Sequence, residues 1–124
     1  MAGGLGKRMN STLPKVLHKI KNKPMLMSTG MASIDEIDEA VNAAKSYGCN
    51  QILLFHCISS YPTKLEDANL KNIIYLKNKY NIEVGLSDHT LGNEAAIASI
   101  ALGASALEKH FTLSRNDIGP DSSF

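Results

Sequence analysis

His89 and His110 have the most chemistry to offer in this sequence. Each follows a short apolar run that reads as a strand, Ile82 to Leu86 and Ala106 to Glu108, so in a parallel sheet the two imidazoles would be neighbours on one rim. Such a pair suits a shared divalent metal, and the plainer alternative is two hydrogen-bonded structural histidines. Glu108 stands two residues before His110 and therefore on the same side of its strand, where a carboxylate can move or orient a proton. A surface salt bridge is its ordinary alternative. Lys109 points the opposite way and reads as structural.

Ser28, Thr29, Ser59, Ser60 and Ser87 put hydroxyls at three different strand ends. Joined by backbone N–H groups at helix starts they would cradle a phosphate, although any one serine is as much at home in a turn. Asp88 and Asp121 are candidates for a sugar hydroxyl, and Tyr61-Pro62 could wall a small polar pocket. A separate signature opens the chain. Gly3, Gly4 and Gly6 would let backbone N–H groups approach phosphates that Arg8 and Lys15 neutralise, which is nucleotide-binding chemistry. Such a loop normally has a buried strand in front of it, and here the sequence opens on the loop itself.

The elements that must position these residues begin near Lys23-Pro24. Residues 1–24 are Gly-rich, then Lys-rich, and offer little apolar surface. From Met25 onward, short apolar runs alternate with helical stretches, the rhythm of repeated βα units. Met25-Leu26-Met27 predicts a strand. Ser33-Ile34-Asp35-Glu36 supplies a capping box for a helix whose inward face is Ile34, Ile37, Val41 and Ala44, stopped by Gly48. Ile52-Leu53-Leu54-Phe55 is apolar without alternation, as in a strand covered on both faces, with His56-Cys57 at its end. Leu70, Ile73, Ile74 and Leu76 mark a second helix ending near Tyr80-Asn81. Ile82 to Leu86 gives a third strand, Asn93 to Leu102 a third helix closed by Gly103, and Ala106 to Glu108 a fourth strand. The tail from Arg115 reads as loop. Polar residues thus gather where strands hand over to the next segment, the place where both α/β barrels and open sheets build sites. The rhythm alone does not choose between these two architectures.

Bulk properties narrow the function classes. With 124 residues and 44% hydrophobic content the chain can bury a core of its own. Its 13 basic and 12 acidic residues nearly cancel, which argues against nucleic acid as the partner of the whole chain. Cys49 and Cys57 form no CxxC pair, and no leader-like or membrane-length apolar run is present. Both thiols are expected free, in a cytoplasmic protein without membrane contact.

Four ordered motifs carry a family resemblance: Ser28-Thr29-Gly30-Met31-Ala32-Ser33, His56-Cys57-Ile58-Ser59-Ser60-Tyr61-Pro62, Gly85-Leu86-Ser87-Asp88-His89-Thr90-Leu91-Gly92 and Glu108-Lys109-His110-Phe111-Thr112. Together, and extended by Gly119-Pro120-Asp121-Ser122, residues 25–124 resemble the second half of a sialic acid synthase. The resemblance implies an α/β fold made of the last four βα units of a (β/α)8 TIM barrel. It implies condensation of phosphoenolpyruvate with an open-chain N-acylated hexose, forming a nine-carbon 2-keto acid and releasing phosphate. His89 and His110 would then hold a divalent ion, manganese first and magnesium as the alternative, to polarise the sugar aldehyde. Ser28 and Ser87 match phosphoenolpyruvate contacts, and Ser59 falls where some relatives carry Asn. Tyr61 and Asp121 match sugar contacts, and Glu108 a candidate acid-base residue. Asp121-Ser122-Ser123-Phe124 leans toward the pseudaminic type.

Residues 1–24, through Gly3 to Met9 and Leu13 to Leu17, look instead like the start of a sugar-nucleotide pyrophosphorylase, a truncated nucleotidyltransferase-like segment. The first four barrel strands expected of a synthase are absent from the sequence. The expectation is therefore a fragment weak or inactive alone, working as a homo-oligomer or beside a complementary barrel half. A triphosphate-binding module and a non-catalytic partner of a full-length synthase are the alternatives.

Overall fold

The computed structural model describes residues 23–122. Four strands and three helices alternate: β1 (Met25–Ser28), α1 (Ile34–Ser46), β2 (Ile52–Cys57), α2 (Lys71–Tyr80), β3 (Glu83–Asp88), α3 (Glu94–Ala101) and β4 (Leu107–Lys109). Short 3-10 turns lie at Leu65–Asp67 and Pro120–Ser122. The sheet is parallel throughout, in the order β1-β2-β3-β4. A doubly wound open sheet reverses strand order at a switch point. These four strands run on in sequence without reversal and curl as a half-barrel, which resolves the choice that rhythm left open.

Local chemistry explains the helix ends. Ser33 Oγ accepts from Glu36 N at 3.4 Å while Glu36 Oε2 accepts from Ser33 N at 2.7 Å, the reciprocal capping box expected from the sequence. At the other end of the unit, α2 stops at Asn81 in the left-handed conformation, φ 50°, with its N–H on Lys77 O. Ile37, Val41 and Ala44 of α1 and Ile73 and Leu76 of α2 turn inward. Ile74, expected to share that face, is exposed, because the inward stripe of α2 runs through Ile73 and Leu76.

The core lies between helices and sheet, where these side chains meet Ile52, Leu54, Val84 and Leu86, with Ala95 and Ala104. Since side chains alternate along a strand, the same register assigns the opposite face. Leu26 and Ser28, Leu53, Phe55 and Cys57, Gly85 and Ser87, and Glu108 stand on the face away from the helices. His56, Asp88 and Lys109 stand on the helix side. The two central strands are buried almost throughout, as their unbroken apolarity predicts, while β1 and β4 leave Leu26 and Leu107 open at the sheet edges. Strands β2 and β3 run further than their apolar runs suggested, taking His56-Cys57 and Ser87-Asp88 into the ladder. Among the described residues no helix is long and apolar enough to cross a membrane.

Candidate functional site

The carboxyl ends of β3 and β4 bring His89 and His110 together, with ring centroids 5.2 Å apart and planes at 69°. Tyr61, from the loop after β2, stands over both: its ring lies 4.3 Å from His89 and 5.6 Å from His110. The loop is stitched in place. Thr63 N donates to His89 O at 2.8 Å, and Thr63 Oγ1 donates to Ser60 O at 2.8 Å. The Tyr61-Pro62 peptide bond is cis.

Each imidazole is oriented through Nδ1. His89 Nδ1 faces the Ile58 carbonyl at 2.8 Å, and because a carbonyl only accepts, that nitrogen carries the proton. Nε2 is then the basic nitrogen of His89, with Ser87 Oγ 3.4 Å away. His110 Nδ1 meets Asp121 Oδ1 in a short contact of the same sense. Tying Nδ1 to an oxygen acceptor presents Nε2 for ligation, the usual outer-shell arrangement of a metal-binding histidine. The described residues contain no group of three or more His, Cys, Asp or Glu side chains disposed to hold a metal.

The register row Cys57, Ser87, Glu108 crosses the face away from the helices just below the two rings. Ser87 is buried, whereas Glu108 and Asp121 are exposed and open to a ligand. Burial pushes the Cys57 thiol up, the Gly30 N–H bond on its sulfur pulls the other way, and the Glu108 charge adds to the rise. Ser28, also exposed, ends β1 on this same face, and Ser59 lies near the following turn: a Cβ on Gly30 would stand 3.3 Å from Ser59 Oγ. Gly30 has φ +44°, so a glycine suits both the conformation and the close approach. Two of the hydroxyls have local employment instead. Thr29 Oγ1 donates to Phe55 O at 3.2 Å and Ser60 Oγ to Pro62 O at 3.2 Å. A small, half-open cavity behind His89, lined by Thr63, Ala68, Leu86 and Ala95 among others, has room for about 10 Å³, water-sized at most.

Asp88, a candidate for a sugar hydroxyl, is turned the other way. It is 2% exposed on the helix side, where Oδ2 accepts from Lys109 Nζ at 2.8 Å and Oδ1 from Thr90 N at 2.9 Å. Burial works against its ionisation, but those hydrogen bonds outweigh it and hold the carboxyl below its ordinary value. Sequence reasoning missed this pairing, although one signal was there: each residue directly precedes a histidine at the end of its strand. Gly3, Gly4, Gly6, Arg8 and Lys15, and with them the nucleotide-binding alternative, lie outside the described residues.

A parallel, curled βα sheet with hydroxyls, a carboxylate and paired imidazoles at its strand carboxyl ends is a segment of a barrel-type enzyme. The chain belongs to the NeuB family, whose profile matches residues 8–124. It is 45% identical over 102 residues to the N,N'-diacetyllegionaminic acid synthase of Campylobacter jejuni, covering 81% of this chain and 30% of that protein. It is 42% identical over 104 residues to a pseudaminic acid synthase of the same species, covering 84% of this chain and 30% of the relative. The crystal structure of an N-acetylneuraminic acid synthetase from Leptospira borgpetersenii superposes with a TM-score of 0.76 at 41% identity, covering 80% of this chain and 34% of that one. The chain thus spans about a third of the length of the relatives it matches.

Proposed function

We propose that the chain supplies the aldehyde-activating side of a phosphoenolpyruvate-dependent nonulosonate synthase. The observation that carries this reading is the His89–His110 pair, edge to face at 5.2 Å under Tyr61, with each Nδ1 held by an acceptor. Nε2 of each ring would hold a divalent ion, manganese or magnesium, leaving further positions to water and substrate oxygens. Bound there, the ion would supply Lewis acidity toward the oxygen of an aldehyde.

The chain's own residues do the rest. Ser28, Ser59 and Ser87 offer hydroxyls to the phosphate and carboxylate of phosphoenolpyruvate on the open face. Tyr61 walls the site on the sugar side. Asp121 orients His110 and is exposed enough to meet a sugar hydroxyl as well. Glu108 stands beside Ser87 in the register, where its carboxylate can carry a proton to or from the reacting atoms. The reaction balances simply. The enol carbon C3 bonds to the aldehyde carbon, whose oxygen takes up a proton; water adds at C2, and loss of phosphate from C2 leaves the 2-keto acid. The acceptor is an N-acylated hexose. Legionaminic and pseudaminic synthases resemble the chain almost equally, so the lean toward the pseudaminic type rests on the sequence Asp121-Ser122-Ser123-Phe124 alone.

Four strands and three helices, with β1 and β4 at the sheet edges among the described residues, form part of a barrel wall. Turnover in this reading requires complementing units, from a second copy or a longer synthase, to close the site.

Thermal unfolding with and without manganese plus phosphoenolpyruvate, on wild type and His89→Ala, tests the proposal. A ligand at 100 times its dissociation constant should stabilise the wild type by about 2.7 kcal/mol and the variant by much less. Equal shifts in both proteins, or none in either, would sink it. Co-purification with a full-length synthase without metal binding would instead support a non-catalytic partner.

A further inference from the structure

Lys109 and Asp88 are register partners on the helix side of the sheet, and each directly precedes one of the paired histidines. Strand alternation therefore puts the ion pair on one face and the two imidazoles on the other. The ammonium is fully used: it donates to Asp88 Oδ2 at 2.8 Å, to Thr90 O at 2.7 Å and to Gly92 O at 2.9 Å. Those acceptors follow the course of the chain on either side of His89, residues 88–92, where β3 ends and α3 has not begun. Asp88 Oδ1 closes the same turn by accepting from Thr90 N at 2.9 Å. Lys109 thus gathers the irregular segment that carries His89 around the strand that carries His110.

From this geometry we infer that Lys109, acting with Asp88, is the positioning residue that sets the distance and angle between His89 and His110. The ammonium touches neither ring. Its effect passes through the backbone of residues 88–92 and through β4. Lysine suits the task because three donors spread from one nitrogen can hold a carboxylate and two carbonyls at once. Removing it would leave a buried carboxylate and two carbonyls without their donor, and residues 88–92 would shift to find others. Imidazole placement would then loosen. The inference rests on reading His89 and His110 as a working pair, but it concerns their relative position and can be measured without any metal.

The test uses metal-free full chain labelled at histidine. In the wild type, ring-to-ring contact at the observed separation gives cross-relaxation between the carbon-bound imidazole protons of His89 and His110. The expected result is loss of that cross-peak in Lys109→Met and in Asp88→Asn, and its return in Lys109→Arg, with the amide shifts of Ile73 and Val84 unchanged. A cross-peak undiminished in Lys109→Met with an intact core overturns the inference. So does unfolding of all three variants, which would make the pair a support of the domain and not of the site. A cobalt titration of the same samples separates the two ideas: binding weakened at least tenfold in Lys109→Met supports both. Cross-peak loss in Lys109→Met with no cobalt binding to the wild type supports the positioning role and removes the metal reading alone.

Discussion

The ring of Phe55 on β2 occupies the space where Gly85, its register partner on β3, has no side chain. A Cβ on Gly85 would stand 2.8 Å from Phe55 Cε1 and 2.7 Å from the Ala106 carbonyl oxygen. Neither neighbour can yield easily, because one is a buried ring and the other is backbone. Gly85→Ala is expected to destabilise the chain by about 1–3 kcal/mol, the usual cost of overpacking. Urea unfolding should show a lower midpoint at unchanged slope. Phe55→Leu in the same background should recover only part of the loss, since Ala106 O stays where it is.

His56 is a buried histidine outside the proposed chemistry. Burial holds its pKa below the ordinary 6.5, and the Ala68 carbonyl at 2.8 Å from Nε2 opposes that shift without cancelling it. Folded protein therefore resists the proton that the unfolded chain accepts. Its contribution to stability is complete above the unfolded value and is lost as pH falls from there through the lower folded value. The unfolding midpoint should drop from pH 7 toward pH 5, as followed by circular dichroism, and that part of the slope should vanish in His56→Gln. An unchanged slope in the variant would assign the dependence to other groups.

Cys57 and Cys49 are both free thiols, but differently placed. Cys57 is buried, its sulfur accepts from Gly30 N at 3.1 Å, and its pKa is raised. Cys49 is half-buried near the surface. At neutral pH a disulfide reagent should modify Cys49 at least tenfold faster, with Cys57 reacting on the timescale of unfolding. Comparable rates in the native chain would contradict the burial of Cys57.

Asn81 takes the left-handed conformation between α2 and β3, φ 50° and ψ 47°. Glycine there should be neutral or slightly stabilising. Asn81→Val should lose about 1–2 kcal/mol, because a β-branched side chain collides with the following carbonyl. Thermal unfolding of the two variants decides it, and equal midpoints would remove the conformational argument.

Much of this site was legible in advance because it depends on period-two alternation from strand ends. The neighbourhood of His89 and His110 and the turn of Lys109 toward Asp88, away from Glu108 and Ser87, follow from that rule, and the ring separation and the strand register agree with these two. Strand limits were less legible. His56, Cys57, Ser87 and Asp88 are polar or reactive residues that a hydropathy pattern assigns to loops, yet the ladder includes them because neighbouring strands satisfy their backbone groups.

The sequence by itself determined the alternation of strands and helices, the Ser33–Glu36 cap, the Asn81 and Gly103 stops and the family of the chain, all of which rest on local spacing and residue type. Only the tertiary structure decided what holds each imidazole and what fills each face. Ile58 lies 31 residues from His89, Lys109 21 from Asp88, and Asp121 11 from His110. Contacts at such separations depend on how the chain folds back on itself, and periodicity along one strand carries no record of which carbonyl or carboxylate will face it from another.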